Sequence, residues 1–236
     1  MERNRDINAR LFEKASGSDL NSVMYLIGEG SDVNAKNQNN LTPLHCASYL
    51  PIIKYLIDEG GNVDAVDEKG RTPLYSACGF GRFNVFKYLV KKGANIHVRD
   101  NGGNTLLHVL INTEYFDIMK YLIEHGVDLN SKNKEGNTPL YIAACPYPRV
   151  EDLKTVKLLI ENGADIHAKN INGETPLHNA SLLDQFKIMK YLIEKGADVK
   201  ALDINGITPL QIASEKGCLE KVNSWIASKL KQEKSG

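Results

Sequence analysis

A Thr-Pro-Leu motif recurs along this chain, opening at Thr42, Thr72, Thr105, Thr138, Thr175 and Thr208. The steps are 30, 33, 33, 37 and 33 residues. Leu follows two positions after each Thr, and Pro stands between them in five copies, with Leu106 replacing it after Thr105. A period of this length describes a supersecondary unit that buries its apolar face only against its neighbours. Thr is a good helix N-cap, and Pro at the first helical position gives up an N–H that would have no partner anyway. Each motif therefore starts a helix.

A second segment repeats in step: IIKYLIDEG, VFKYLVKKG, IMKYLIEHG, VKLLIENG and IMKYLIEKG. Apolar residues at i, i+1, i+4 and i+5 form one buried stripe of an amphipathic helix. Gly60, Gly93, Gly126, Gly163 and Gly196 end these helices as left-handed caps. A short extended piece such as DVNAKN follows, then a turn bearing Gly70, Gly103, Gly136, Gly173 or Gly206, with Asn40 in that place in the first copy. Asn tolerates the left-handed conformation best after Gly. The unit is helix, turn, helix, projecting hairpin-like turn.

From T-P-L-H-x-A through K-Y-L-I-E-x-G-A-D-V to D-x-x-G-x-T, the chain resembles the ankyrin-repeat family over about residues 8 to 230. The expected fold is all-α: a solenoid of about seven stacked helix pairs with projecting β-hairpin-like loops. Residues 1–236 are read as a single domain. Its repeats fall at approximately 8–40, 41–70, 71–103, 104–136, 137–173, 174–206 and 207–232, the first and last acting as caps. Trp225 stands where other repeats place Leu and is read as core.

His45, His108 and His178 share one slot, which Tyr75, Tyr141 and Gln211 fill in the other copies. A catalytic histidine occurs once, with its own base and orienting group. A residue repeated along a ladder and replaceable by another hydrogen-bonder is structural, and the resemblance implies that it ties the Thr hydroxyl to neighbouring backbone. His97 and His167 have no second ligand at a suitable spacing, so no metal is expected. Gly79-Phe80-Gly81 closes a first helix and lacks a third glycine, so it is read as a turn and not a phosphate loop. No G-K-[ST], H-E-x-x-H or G-x-S-x-G occurs, and neither an enzyme activity nor a cofactor is expected. Asn34 and Asn130 match the ankyrin context in which asparagine hydroxylation is known, but unmodified Asn is the default.

Lys plus Arg equals Asp plus Glu at 29 each, and neutrality argues against nucleic acid as the main partner. Four cysteines without a C-x-x-C pair are read as reduced thiols. The charged N-terminus lacks the apolar run of a signal peptide, and no stretch reaches the roughly 18 apolar residues of a membrane span. The expectation is a cytoplasmic, monomeric scaffold that binds a protein partner; the alternatives are the interaction part of a larger enzyme or multidomain protein, or a binder of an anionic ligand such as nucleic acid or lipid. A composition rich in Asn, Ile, Lys and Tyr adds the reading of a microbial or viral effector acting in a host cytosol.

Three repeats depart from the pattern. The second, ASYLPIIKYL, lacks three residues of the inter-helix turn; the fifth, AACPYPRVEDLKTV, carries four extra; the fourth puts Leu110 where its neighbours have Ala. The resemblance implies that partners bind the inner face of the first helices and the hairpin tips. Helical spacing from each Thr selects Tyr49, Leu50 and Phe80 as one apolar patch and Leu182 with Leu183 as another. Asn112 and either Tyr115 or Tyr147 are expected to bridge them, with Lys69, Arg71, Arg99 and Asp100 as a charged rim.

Overall fold

The computed structural model describes residues 2–111, 113–144, 153–182, 185–217 and 219–233. Fourteen helices occur among them and no strand, only one isolated antiparallel bridge between Arg99 and Thr105. They fall into two compact units, Met1–Leu110 with Glu114–Val127, and Ile111–Thr113 with Asp128–Gly236.

The first unit contains α1 (Glu2–Ser16), α2 (Leu20–Gly28), α3 (Pro43–Cys46), α4 (Leu50–Asp58), α5 (Pro73–Gly79), α6 (Phe83–Lys91), α7 (Leu106–Leu110) and α8 (Phe116–Glu124). Consecutive helices pack in pairs; first helices then stack on first helices, and second on second. The second unit repeats this arrangement with α9 (Pro139–Ala143), α10 (Leu153–Glu161), α11 (Pro176–Leu182), α12 (Phe186–Glu194), α13 (Pro209–Glu215) and α14 (Leu219–Glu233).

The buried stripe is the periodic one: Ile52, Ile53 and Leu56 on α4, Val85, Phe86 and Leu89 on α6, Ile118, Met119 and Leu122 on α8, and Ile188, Met189 and Leu192 on α12. Short first helices contribute Leu44, Leu74, Leu107, Leu140 and Leu177, all nearly inaccessible. Ala47, Ala77, Ala143, Ala180 and Ala213 let successive first helices approach, and Leu110 fills the same slot with no exposed surface. The glycines that end the second helices take positive φ, as do those at the hairpin turns; Asn40, at φ 56°, is the one described non-glycine to do so.

Two features differ from expectation. α1 starts at Glu2, because the polar stretch before Leu11 continues the helix while Leu11 and Ala15 anchor it with no exposure. Trp225 is only half-buried, with the Lys190 ammonium 5.5 Å above its ring. It is an edge residue of α14, which packs on α12 and α13, and not a core residue.

Hydrogen bonds tie each repeat to the next. Each hairpin opens with an Asn or Asp whose side chain accepts amides two and four residues on, as Asp67 does from Lys69 and Arg71 and Asn170 from Asn172 and Glu174. One main-chain bond then joins neighbouring tips: Asn101 N–H to the Lys69 carbonyl at 2.8 Å, and Ile171 N–H to Glu135 at 3.2 Å. Asn34 and Asn130 accept the amides of Asn62 and Asp165 at 2.8 and 2.7 Å, so both asparagines are framework.

Candidate partner-binding surface

The histidine slot has a fully determined chemistry. His45 Nδ1 accepts the Thr42 amide at 3.1 Å and lies 2.9 Å from its hydroxyl. An amide only donates, so Nδ1 is bare and the ring proton sits on Nε2, pointed at the Arg71 carbonyl 2.9 Å away. His178 repeats this with Thr175 and the Ile207 carbonyl. Burial holds both imidazoles below their ordinary pKa, the carbonyl contacts opposing it. Where Tyr replaces His, the phenol reaches a carboxylate of the next hairpin: Tyr75 to Asp100 at 2.8 Å and Tyr141 to Glu174 at 2.6 Å. These rings strut each first helix against the hairpin that follows it. His97 and His167 are exposed, and no group of three potential metal ligands occurs among the described residues.

The missing residues of the second repeat reshape the surface around Tyr49. α3 stops after four residues, and only Ala47, Ser48 and Tyr49 lead into α4. Tyr49 therefore caps α4 and Leu50 begins it, so neither lies on a first helix as the spacing from Thr42 implied. In the third repeat α5 runs to Gly79, and Phe80 ends it. Tyr49 and Phe80 are still exposed rings, at 44% and 65%, while Leu50 is half-buried. Leu182, at the end of α11 in the second unit, is 43% exposed.

Tyr115 has another task. It caps α8 and lies across Gly81, where an added Cβ would collide with the ring. It fills an inter-helix turn. Asn112, Tyr147 and Leu183, and the insertion over 145–152, lie outside the described residues.

The four hairpin charges divide. Arg71 turns inward onto Asp67, whose side chain is almost wholly buried, with Nη2 at 2.7 Å and Nε at 2.8 Å. Burial would raise the Asp67 pKa, but the bonds from Arg71 and Lys69 outweigh it and hold the carboxyl below the usual range. Asp100 accepts from Gly102, Asn104 and the Tyr75 hydroxyl, and is held low in the same way. Arg99 donates from Nη1 to the Gly103 carbonyl at 3.1 Å, and Lys69 is exposed. Arg71 and Asp100 thus brace the hairpins.

One residue of this surface escaped the sequence reading. Arg82 caps α6, its guanidinium lies 4.8 Å from the Phe80 ring centroid, and Nη1 is 3.4 Å from the Ala47 carbonyl. The available signal was positional, since Arg82 matches Tyr49, Tyr115 and Gln185 at the entrance of each second helix.

A family model described as ankyrin repeats, in three copies, matches residues 11–100, 93–170 and 147–230. The chain belongs to the ankyrin-repeat family. Ankyrin repeats are generally protein–protein interaction modules, and proteins built from them are typically non-catalytic scaffolds. A search of curated proteins found no match. No helix among the described residues is long and apolar enough to cross a membrane.

Proposed function

We propose that this ankyrin-repeat chain is a non-catalytic scaffold whose protein partner docks on the patch of Tyr49, Leu50 and Phe80 in the first unit, with Leu182 marking a separate patch in the second. The observation that carries this reading is the exposure of two large aromatic rings, Tyr49 and Phe80, in neighbouring repeats of one unit. Aromatic anchors dominate binding energy at protein interfaces. Lys69 and Arg99 are the rim charges of this reading, while Arg71 and Asp100 keep a bracing role. The finer form, a monomeric microbial or viral effector acting in a host cytosol, is supported by composition.

The test begins with affinity capture by the purified chain from a lysate of the source organism or its host, followed by mass spectrometry. The captured partner is then titrated against Tyr49→Ala with Phe80→Ala, against Leu182→Ala, and against Lys120→Ala and Lys190→Ala on second helices. Loss of affinity in the first two, with unchanged circular dichroism, supports the reading. Full affinity in both, with loss at Lys120 or Lys190, places binding on the other face.

A further inference from the structure

The deletion in the second repeat does more than shift Tyr49. Because three residues connect α3 to α4, the longer turn of the next repeat overhangs a gap, leaving an open cleft of about 440 Å³. Ser48 and Leu50 form one wall, and Gly81, Arg82 and Val85 the other. None of the lining residues is acidic. Tyr49 and Phe80 stand exposed beside it.

Arg82 is the charged group of this cleft. Its single described hydrogen bond is the long one to Ala47, and its guanidinium forms no ion pair among the described residues, whereas two nitrogens of Arg71 reach one Asp67 oxygen. The Phe80 ring lies under the planar fork, and the Ala47 carbonyl is the one hydrogen-bond acceptor it meets among the described residues. A fork of this kind matches a carboxylate in two parallel hydrogen bonds. Lys87, whose ammonium lies 5.3 Å over the Phe83 ring, adds a second positive charge to the same region. The charged lining residue is a cation, and Leu50, Phe83 and Val85 supply apolar surface beside it.

We infer that this cleft docks an acidic peptide segment of a partner protein, an Asp or Glu carboxylate seating on Arg82 while an adjacent bulky apolar side chain covers Leu50 between Tyr49 and Phe80. This deepens the proposed function and rests on it. The occupant follows from charge complementarity: a basic or neutral peptide leaves the guanidinium half-buried without an anion, and an acidic peptide lacking an apolar residue leaves both rings in water.

The probe is a fluorescein-labelled pool of twelve-residue peptides that randomise the order of Glu, Leu, Phe and Gly, read by fluorescence polarisation on the full chain. A matched pool carries Gln for every Glu, and a third carries phosphoserine for Glu. The Glu pool is expected to bind and the Gln pool to bind at least about tenfold more weakly. Arg82→Gln is expected to remove that preference, with Phe80→Ala weakening both pools. Circular dichroism checks folding, and Arg82→Lys, which keeps the charge without the fork, should fall between. No binding of the Glu pool, equal binding of the Glu and Gln pools, binding of the phosphoserine pool alone, or an unchanged preference in Arg82→Gln each overturns the inference. If Arg82→Gln leaves the captured partner's affinity intact while the Tyr49 and Phe80 double variant abolishes it, the surface reading stands and the carboxylate contact falls. If neither variant alters that affinity, both fall.

Discussion

His178 hands its one ring proton to the carbonyl of Ile207, 3.1 Å away in the following repeat. The same imidazole caps its own helix, because Nδ1 accepts the Thr175 amide at 3.1 Å. The two nitrogens therefore perform separate tasks, and a substitution can remove one without the other.

His178→Gln should keep the cap and lose the strut. Gln211 shows that an amide oxygen serves this slot, accepting from the Thr208 amide at 2.7 Å and lying 3.0 Å from its hydroxyl. Losing one buried inter-repeat hydrogen bond costs about 1–2 kcal/mol, so the urea midpoint should drop with an unchanged slope. His178→Ala, which also removes the cap, should cost about 1 kcal/mol more. Equal midpoints for the two variants would mean that the cap contributes nothing.

Acid should weaken the fold before it titrates carboxylates. Burial lowers the folded pKa of His45 and His178 below the ordinary 6.5, so the unfolded chain binds protons more readily. Stability then rises with pH: the contribution is complete above 6.5 and is lost as pH falls from there through the lower folded values. Asp67 and Asp100 have folded pKa values below the ordinary 3.8, so their contributions persist above about 4 and fall away only in stronger acid. Urea titrations at pH 7.5 and 5.0 should show a lower midpoint at 5.0. A double variant, His45→Gln with His178→Gln, should flatten that difference; if the slope survives in it, these imidazoles are not its source.

Gly136 and Gly206 separate backbone strain from tip stacking. Both sit at positive φ, 73° and 75°. A Cβ on Gly136 would meet the Ile171 nitrogen at 2.7 Å, whereas one on Gly206 meets nothing within 4 Å. Gly206→Ala should cost about 1 kcal/mol for the left-handed backbone alone, and Gly136→Ala roughly 1 kcal/mol or more beyond that. Thermal unfolding of the two variants measures the gap. Equal losses would show that the tips separate freely.

Leu110 occupies a slot that other repeats give to Ala, and its surroundings have closed on it completely. Truncation to Ala restores the residue of the other repeats yet should destabilise by about 2–4 kcal/mol, because the fully buried larger side chain would leave a cavity. A neutral result in chemical denaturation would mean that α7 slides to refill the space.

The helices were legible because period and punctuation agree: a Thr start, with Pro after it in all but one copy, the i, i+1, i+4 stripe and a glycine stop recur in step. The charges of the hairpins were harder to read. Arg71 looks like a solvated turn residue, but the turn gathers the Asp67 carboxylate onto its own amides, and a chain reversal of four residues brings the guanidinium to it. Tyr115 was misplaced for a different reason. Its site exists only because residue 81 is glycine, a pairing across 34 positions that the period does not encode. Arg82 was overlooked because the deletion lies one repeat upstream, and the gap becomes visible only when repeats are stacked.

The struts also set a timetable for synthesis. His45 finds its carbonyl 26 residues downstream, Tyr75 its carboxylate 25 downstream, and His178 its carbonyl 29 downstream. None of these partners has left the ribosome when the ring itself emerges. Elongation at roughly 5–20 residues per second makes the wait on the order of seconds. A nascent chain of this kind carries one unfinished repeat at its leading edge, and that exposed edge travels with translation.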